Sequence, residues 1–185
     1  MKITMYGSSS DRIPATYLDG ARRFGEMLAK RGHTLCFGAG NEGVMGAAAR
    51  GAKESGGTVI GILPDFFPDG IEYPECTSLL YTDSMRERKR MLESEADAFA
   101  VLPGGVGTFD ELFETYALRV LDCHRKPIVV YNIGGWFDPM KEVLDRSERE
   151  EFLLRNWRED LFVSDDLSRI FEYLESDAAI RPDAN

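Results

Sequence analysis

The chain has 185 residues, 43% of them hydrophobic and 29% charged, the composition of a globular protein long enough to bury a substantial core. Its formal net charge of −10 repels polyanions and argues against nucleic acid as a partner. No run approaches the length of a membrane span and the opening MKITMYGSSS lacks the apolar core of a signal peptide, so no membrane association is expected either.

In chain order, a strand candidate at 2–6 is followed by a helix at 15–31, a strand at 34–37 and a helix at 43–55. A strand at 58–63, a helix at 84–95, a strand at 98–102 and a helix at 109–122 come next. The series ends with a strand at 128–131 and helices at 138–147 and 166–175. Gly32 and Gly56 stand where glycines close helix C-termini. Short, continuously apolar strands separated by helices predict an α/β fold: three layers, with a buried parallel sheet covered by helices on both faces. No linker or repeat divides the chain, which reads as one domain over 1–176 with a solvated tail at 177–185. Cys36, Cys76 and Cys123 are odd in number and scattered, as reduced thiols of a cytoplasmic protein would be. With only His33 and His124 available, no metal site is expected.

In such a sheet, ligands bind beyond the carboxyl ends of the strands. Three loops rich in glycine follow strand candidates: Gly7-Ser8-Ser9-Ser10, Gly38-Ala39-Gly40-Asn41-Glu42-Gly43, and Pro103-Gly104-Gly105-Val106-Gly107-Thr108. All three are expected to meet at one edge. The third opens a helix, whose free amide hydrogens can hold a phosphate without a lysine. The second also fits a dinucleotide fingerprint, G-x-G-x-x-G with Asp65 near the end of the next strand, although it follows the second strand rather than the first.

Two segments carry further candidates. On the 84–95 helix, at about 100° per residue, Met85, Leu92 and Ala96 share an apolar face while Arg86, Glu87, Arg90 and Ser94 point away. Arg88 and Lys89 flank the stripe. Either they snorkel to the surface along their stems, or they turn inward and need a partner such as a phosphate or Glu111. Glu111 has two readings of its own. Thr108-Phe109-Asp110-Glu111 fits a capping box, in which the glutamate serves only the amide of Thr108; otherwise it is a catalytic carboxylate. The 109–122 helix is apolar round more than half its circumference, which predicts a homodimer through this helix. Cys123 and His124 assemble no nucleophile–base pair and read as structural.

Together the two segments carry a family resemblance. Pro103-Gly104-Gly105-Val106-Gly107-Thr108-Phe109-Asp110-Glu111 resembles the PGGxGTxxE signature of the LOG ("Lonely guy") family, and Met85-Arg86-Glu87-Arg88-Lys89 resembles its companion MHxRK motif. That family comprises cytokinin riboside 5′-monophosphate phosphoribohydrolases and related nucleoside-monophosphate hydrolases, long mislabelled lysine decarboxylases. The likeness extends to Gly43-Val44-Met45-Gly46, Gly61-Ile62-Leu63-Pro64, Lys126-Pro127, Asn132 and Asp138-Pro139, over roughly residues 1–150. Arg86 replaces the usual His, Ala39 interrupts a frequent triple glycine, and Leu118, Val120, Leu121 and Asp122 stand where a Trp-x-Gln-Leu-Gly pattern is frequent.

The resemblance implies a Rossmann-like fold and a homodimer. It also implies hydrolysis of an N-glycosidic bond with no cofactor, releasing a free base and ribose 5-phosphate from a nucleoside 5′-monophosphate. By position, Arg88 and Glu111 correspond to the catalytic pair. Gly104, Gly105, Gly107 and Thr108 correspond to the phosphate loop, with Lys89 beside the catalytic arginine. Gly7, Ser8, Ser9, Gly38, Gly40, Gly43, Met45 and Met85 complete the expected substrate contacts. The alternative is a non-catalytic nucleotide or cofactor carrier of the same fold.

Overall fold

A short apolar strand, Lys2–Tyr6 (β1), opens the chain and feeds a helix, Ala15–Lys30 (α1). The alternation continues through Thr34–Phe37 (β2), Gly43–Glu54 (α2), Thr58–Pro64 (β3), Ser78–Thr82 (β4), Met85–Ser94 (α3), Ala98–Val101 (β5) and Val106–Val120 (α4). It ends with Ile128–Tyr131 (β6), Asp138–Arg149 (α5), Leu161–Ser164 (β7) and Leu167–Glu175 (α6). The computed structural model describes residues 1–68 and 70–176; the tail expected at 177–185 lies outside the described residues.

The seven strands form one parallel sheet in the order β4-β3-β2-β1-β5-β6-β7. Ile3 of β1 pairs with Leu35 of β2 on one side and Ala98 of β5 on the other. Helices α1, α2 and α6 cover one face, burying Phe24, Leu28, Ala48, Phe171 and Leu174. Helices α3, α4 and α5 cover the other, where Leu92, Leu112 and Leu144 pack with Phe99, Phe137 and Trp157. Each large apolar side chain so buried stabilises the fold by about 1.5–3 kcal/mol. Gly32 and Gly56, both at φ +76°, end α1 and α2 as expected.

The expected elements are all present, and two strands are added. β4 lies at the sheet edge with only Thr82 buried, so its sequence lacks the apolar continuity of an inner strand. β7 is four residues long and hemmed by Glu159-Asp160 and Asp165-Asp166, which mask it. Helix α4 starts at Val106, three residues before the expected start at 109.

A buried ion cluster ties the two ends of this last region together. Asp160 is 3% exposed. Its Oδ1 accepts from Arg119 Nε at 3.1 Å and Arg155 Nη2 at 2.8 Å, and its Oδ2 accepts from Arg155 Nε at 2.8 Å. Arg119 also donates to the carbonyls of Arg125 and Lys126, so the end of α4 is held to the chain entering β6 and β7. No helix among the described residues is long and apolar enough to cross a membrane.

The strand order makes β1 the centre. The chain builds outward from it through β2, β3 and β4, then returns to the other side with β5. The reversal opens a crevice over the carboxyl ends of β1 and β5, where ligands of such sheets sit.

Candidate active site

The three glycine loops meet at that edge. Ser8 joins them: its N–H donates to Pro103 O at 3.1 Å, and its carbonyl accepts from Met45 N at 3.1 Å. Gly7 lets this contact close, since a Cβ there would lie 2.6 Å from Val44 Cγ1. At the start of α2, Gly43 holds φ +63° with Ser8 O 2.6 Å from where a Cβ would stand, and its N–H donates to Asp11 Oδ1 at 2.6 Å. The amides of Gly43 and Met45 are therefore already used by the protein.

The α4 N-terminus is different. Gly105 is its N-cap and no side chain caps it. A Cβ added at Gly105 or Gly107 would meet nothing within 4 Å, whereas one at Gly104 would collide with the Thr108 side chain. The missing side chains leave the first-turn amides of α4 open to an approaching anion. Thr108, 4% exposed, is inside the helix rather than at its cap.

That position removes the capping-box reading of Glu111. The capping pair in this region belongs to α3: Ser84 Oγ accepts from Glu87 N at 3.2 Å, and Glu87 Oε2 accepts from Asp83 N at 2.9 Å. Fixed by this cap, α3 turns Arg88 inward, and the residue is 8% exposed. Its Nε donates to Ile62 O at 3.2 Å and its Nη1 to Glu111 Oε1 at 3.1 Å. Its other terminal nitrogen fills the space a Cβ on Gly38 would need. Burial pushes the Glu111 carboxyl above its ordinary value of 4.5, and the Arg88 guanidinium opposes that rise without cancelling it. Glu111 Oε2 has no hydrogen-bond partner among the described residues.

Arg88 stands at the floor of a cavity of about 440 Å³, the size of a small-molecule site. Ser9, Asn41 and Glu42 supply its other polar side chains, and Met45, Leu63, Phe67, Ile71 and Met85 its apolar wall. The β3–β4 connection forms part of that wall, fastened by Asn41 N to Ile71 O at 2.9 Å and Tyr73 N to Ala39 O at 2.7 Å. Phe67 and Ile71 were not expected from the sequence, because long-range pairing of that connection brings them here, whereas Asp11, Asn41 and Glu42 lie in the loops after β1 and β2 but were not singled out.

Residues 45–174 match the family model described as "possible lysine decarboxylase". A Mycobacterium tuberculosis protein named cytokinin riboside 5′-monophosphate phosphoribohydrolase is 40% identical over 132 residues, 71% of each chain. The chain belongs to the LOG family. Similar relatives of the same name come from rice, 33% identical over 85% of this chain and 65% of that protein, and from Arabidopsis thaliana, 30% identical over 94% and 82%. A structural-genomics crystal structure superposes with a TM-score of 0.75 at 28% identity, covering 94% of this chain and 98% of that one. The molybdenum cofactor carrier protein of Chlamydomonas reinhardtii shares the fold, with a TM-score of 0.72 at 22% identity over 94% and 95% of the two chains.

Within this LOG-family chain the motif positions divide by location. Arg88, Gly38, Gly40, Met45, Met85 and Ser9 surround the cavity. Met85, expected on the apolar face of α3 and among the substrate contacts, lines the cavity and is 43% exposed. Lys89 is placed away from the cavity, on the α4 surface, with Nζ 3.0 Å from Asp110 Oδ2 and 2.8 Å from Glu114 Oε2. Those bonds raise its pKa above the ordinary lysine value. The dinucleotide reading also gives way: Gly38 and Gly40 make room for Arg88 and Met45, Gly43 is committed to Asp11, and Asp65 is exposed.

The other matched positions are architectural. Asn132 bonds Asp138 Oδ1 at 2.9 Å and accepts from Phe137 N at 2.7 Å, while Lys126 Nζ donates to Glu93 O at 2.9 Å. His124 is buried, bonded to Thr115 O at 3.1 Å, and Cys123 is exposed at the end of α4.

Proposed function

We propose that the protein hydrolyses the N-glycosidic bond of a purine nucleoside 5′-monophosphate, either AMP or an N6-prenylated AMP, through Arg88 and Glu111. The observation that carries this reading is the buried Arg88–Glu111 pair with one carboxylate oxygen left unengaged, between the 440 Å³ cavity and the uncapped start of α4.

In this arrangement the phosphate rests on the amides of Val106, Gly107 and Thr108, the ribose lies over Ser8 and Ser9, and the base enters the cavity. As the bond between the base nitrogen and C1′ breaks, positive charge builds on the ribose, as in glycoside hydrolysis. Glu111 stabilises that charge and orients the attacking water through Oε2. Water oxygen bonds C1′, its proton leaves, and the departing base gains one. Arg88 keeps Glu111 ionised and positioned. No cofactor takes part. Incubation with AMP and isopentenyladenosine monophosphate is expected to release equal amounts of base and ribose 5-phosphate; no release from either, or from a panel of nucleoside monophosphates, would overturn the reading.

A Schiff-base decarboxylase is not supported. Such chemistry needs a lysine that readily loses its proton, and the motif lysine, Lys89, is held charged by two carboxylates. The alternative, a passive carrier of the same fold, could use the same oxygen only as an acceptor for its ligand, and the same assay separates it from a hydrolase.

The reading includes a homodimer through α4, in a cytoplasmic setting and in cytokinin production. Val106, Phe113 and Leu121 are 89%, 40% and 65% exposed, an apolar line along α4 that a second copy would cover. Light scattering at micromolar concentration is expected to give twice the mass of 20.8 kDa, and Phe113→Glu to give the monomer. A monomeric wild type would exclude the dimer.

A further inference from the structure

A second concavity, of about 230 Å³, lies beside the glycine loop, lined from the loops that follow β1, β5 and β6, and Arg88 is not among its lining residues. Pro103, Gly104 and Gly105 form one side of it, and Ile13, Pro14, Tyr17 and Trp136 the other. Ser8 and the loop residues border the site described above, whereas Ile13, Pro14, Tyr17 and Trp136 have no part in it. Its size is below the roughly 300 Å³ at which pockets bury drug-sized ligands, so it fits a single ring system.

The lining is almost wholly apolar, yet Trp136 is 42% exposed there. The Tyr17 and Trp136 ring centroids are 5.7 Å apart at 74°, so the two rings make a corner. A flat ring placed in that corner stacks on one and meets the edge of the other, the two favoured aromatic geometries. The turn after β6 fixes this presentation. Gly134 and Gly135 hold φ +61° and +74°, and Asn132 takes the amide of Phe137. Ser8 supplies the one hydroxyl at the rim; its oxygen already accepts from Ser10 N at 3.1 Å, which leaves its proton to donate. A ring nitrogen would accept from that donor, a contact that an aliphatic chain cannot make.

We propose that this cleft is a second binding site, for a planar, uncharged nitrogen heterocycle of the size of a free purine base. It is distinct from the cavity that contains Arg88, and a free base held there remains beside the phosphate loop after release. Binding requires no turnover, so the proposal stands or falls separately from the hydrolase reading.

The chain has two tryptophans, which makes the test direct. Trp157 is 2% exposed and bonded to Asp145, so emission that responds to a ligand comes from Trp136. Adenine titrated into the full chain is expected to quench this emission saturably, equally in Arg88→Ala. Calorimetry on Trp136→Leu is expected to show at least about fivefold weaker adenine binding, in line with the worth of base–aromatic stacking. No saturable quench at millimolar adenine would overturn the proposal. So would a quench abolished by Arg88→Ala, which would place the ring in the other cavity, or unchanged adenine affinity in Trp136→Leu.

Discussion

Glu111→Gln is expected to lower kcat/KM for base release by about 10²–10⁴-fold, the range of a lost general base or charge stabiliser, while the thermal midpoint near pH 4.5 stays nearly unchanged. The glutamine keeps an oxygen to accept from Arg88 Nη1, so the buried arginine is not orphaned. What disappears is the charge on the second oxygen. Retained activity in this variant would make Glu111 only a packing partner of Arg88. The pH dependence gives an independent reading. Because the folded carboxyl titrates above 4.5, the acid limb of the wild-type rate is expected above that value. The stability effect has the opposite sign to that of an ordinary salt-bridged acid. A raised folded pKa means the native state binds the extra proton, so its contribution is full below the unfolded value of 4.5 and is lost as pH rises through the folded value. Thermal midpoints of wild type minus Glu111→Gln should fall as pH is raised from 4.5.

Several parts of this site were legible because they depend on local spacing. The strands that pack at the centre of the sheet are continuous apolar runs, and each glycine loop follows one of them, so their convergence needed only the parallel topology. Helical phase put Arg88 and Lys89 alike on the flank of the apolar stripe, with snorkelling outward and turning inward both open. What phase does not give is the partner. The same four residues, Thr108 to Glu111, satisfy a capping-box pattern, and only the earlier start of α4 at Val106 decides against it. Val106 and Gly107 do not look like a helix start because neither is a capping residue; here the cap position is Gly105, left open. Lys89 shows the converse limit. It neighbours Arg88 in sequence, yet one residue is a rotation of about 100°, enough to move its ammonium from the cavity side to Asp110 and Glu114. The far wall of the cavity was not readable at all. Phe67 and Ile71 reach it through two backbone bonds from a connection with no periodicity, and such pairings have no signature in local pattern.

Asp160→Ala is expected to destabilise the fold by about 3–5 kcal/mol, the effect of removing one partner from a buried ion cluster, and to lower the thermal midpoint by roughly 6–20 °C. Both aspartate oxygens are used, by three bonds from Arg119 and Arg155, and deletion leaves Arg119 without its carboxylate and Arg155 with only the longer pair to Asp122 at 3.8 Å. Asp160→Asn, which keeps an acceptor, should lose less, and a loss below about 1 kcal/mol in the alanine variant would refute the clamp. Base release by the folded fraction is expected to be unaffected at low temperature. The contrast with Glu111 is instructive because residue types and burial are alike: each site pairs an acid with arginine out of water. Asp160 is saturated by its partners, so nothing is left for a substrate and its whole effect is on stability. Glu111 spends one oxygen on Arg88 and keeps the other. A double measurement on both variants, turnover and melting near pH 4.5, should therefore separate them: Asp160→Ala moves the midpoint and not the rate, Glu111→Gln the rate and hardly the midpoint.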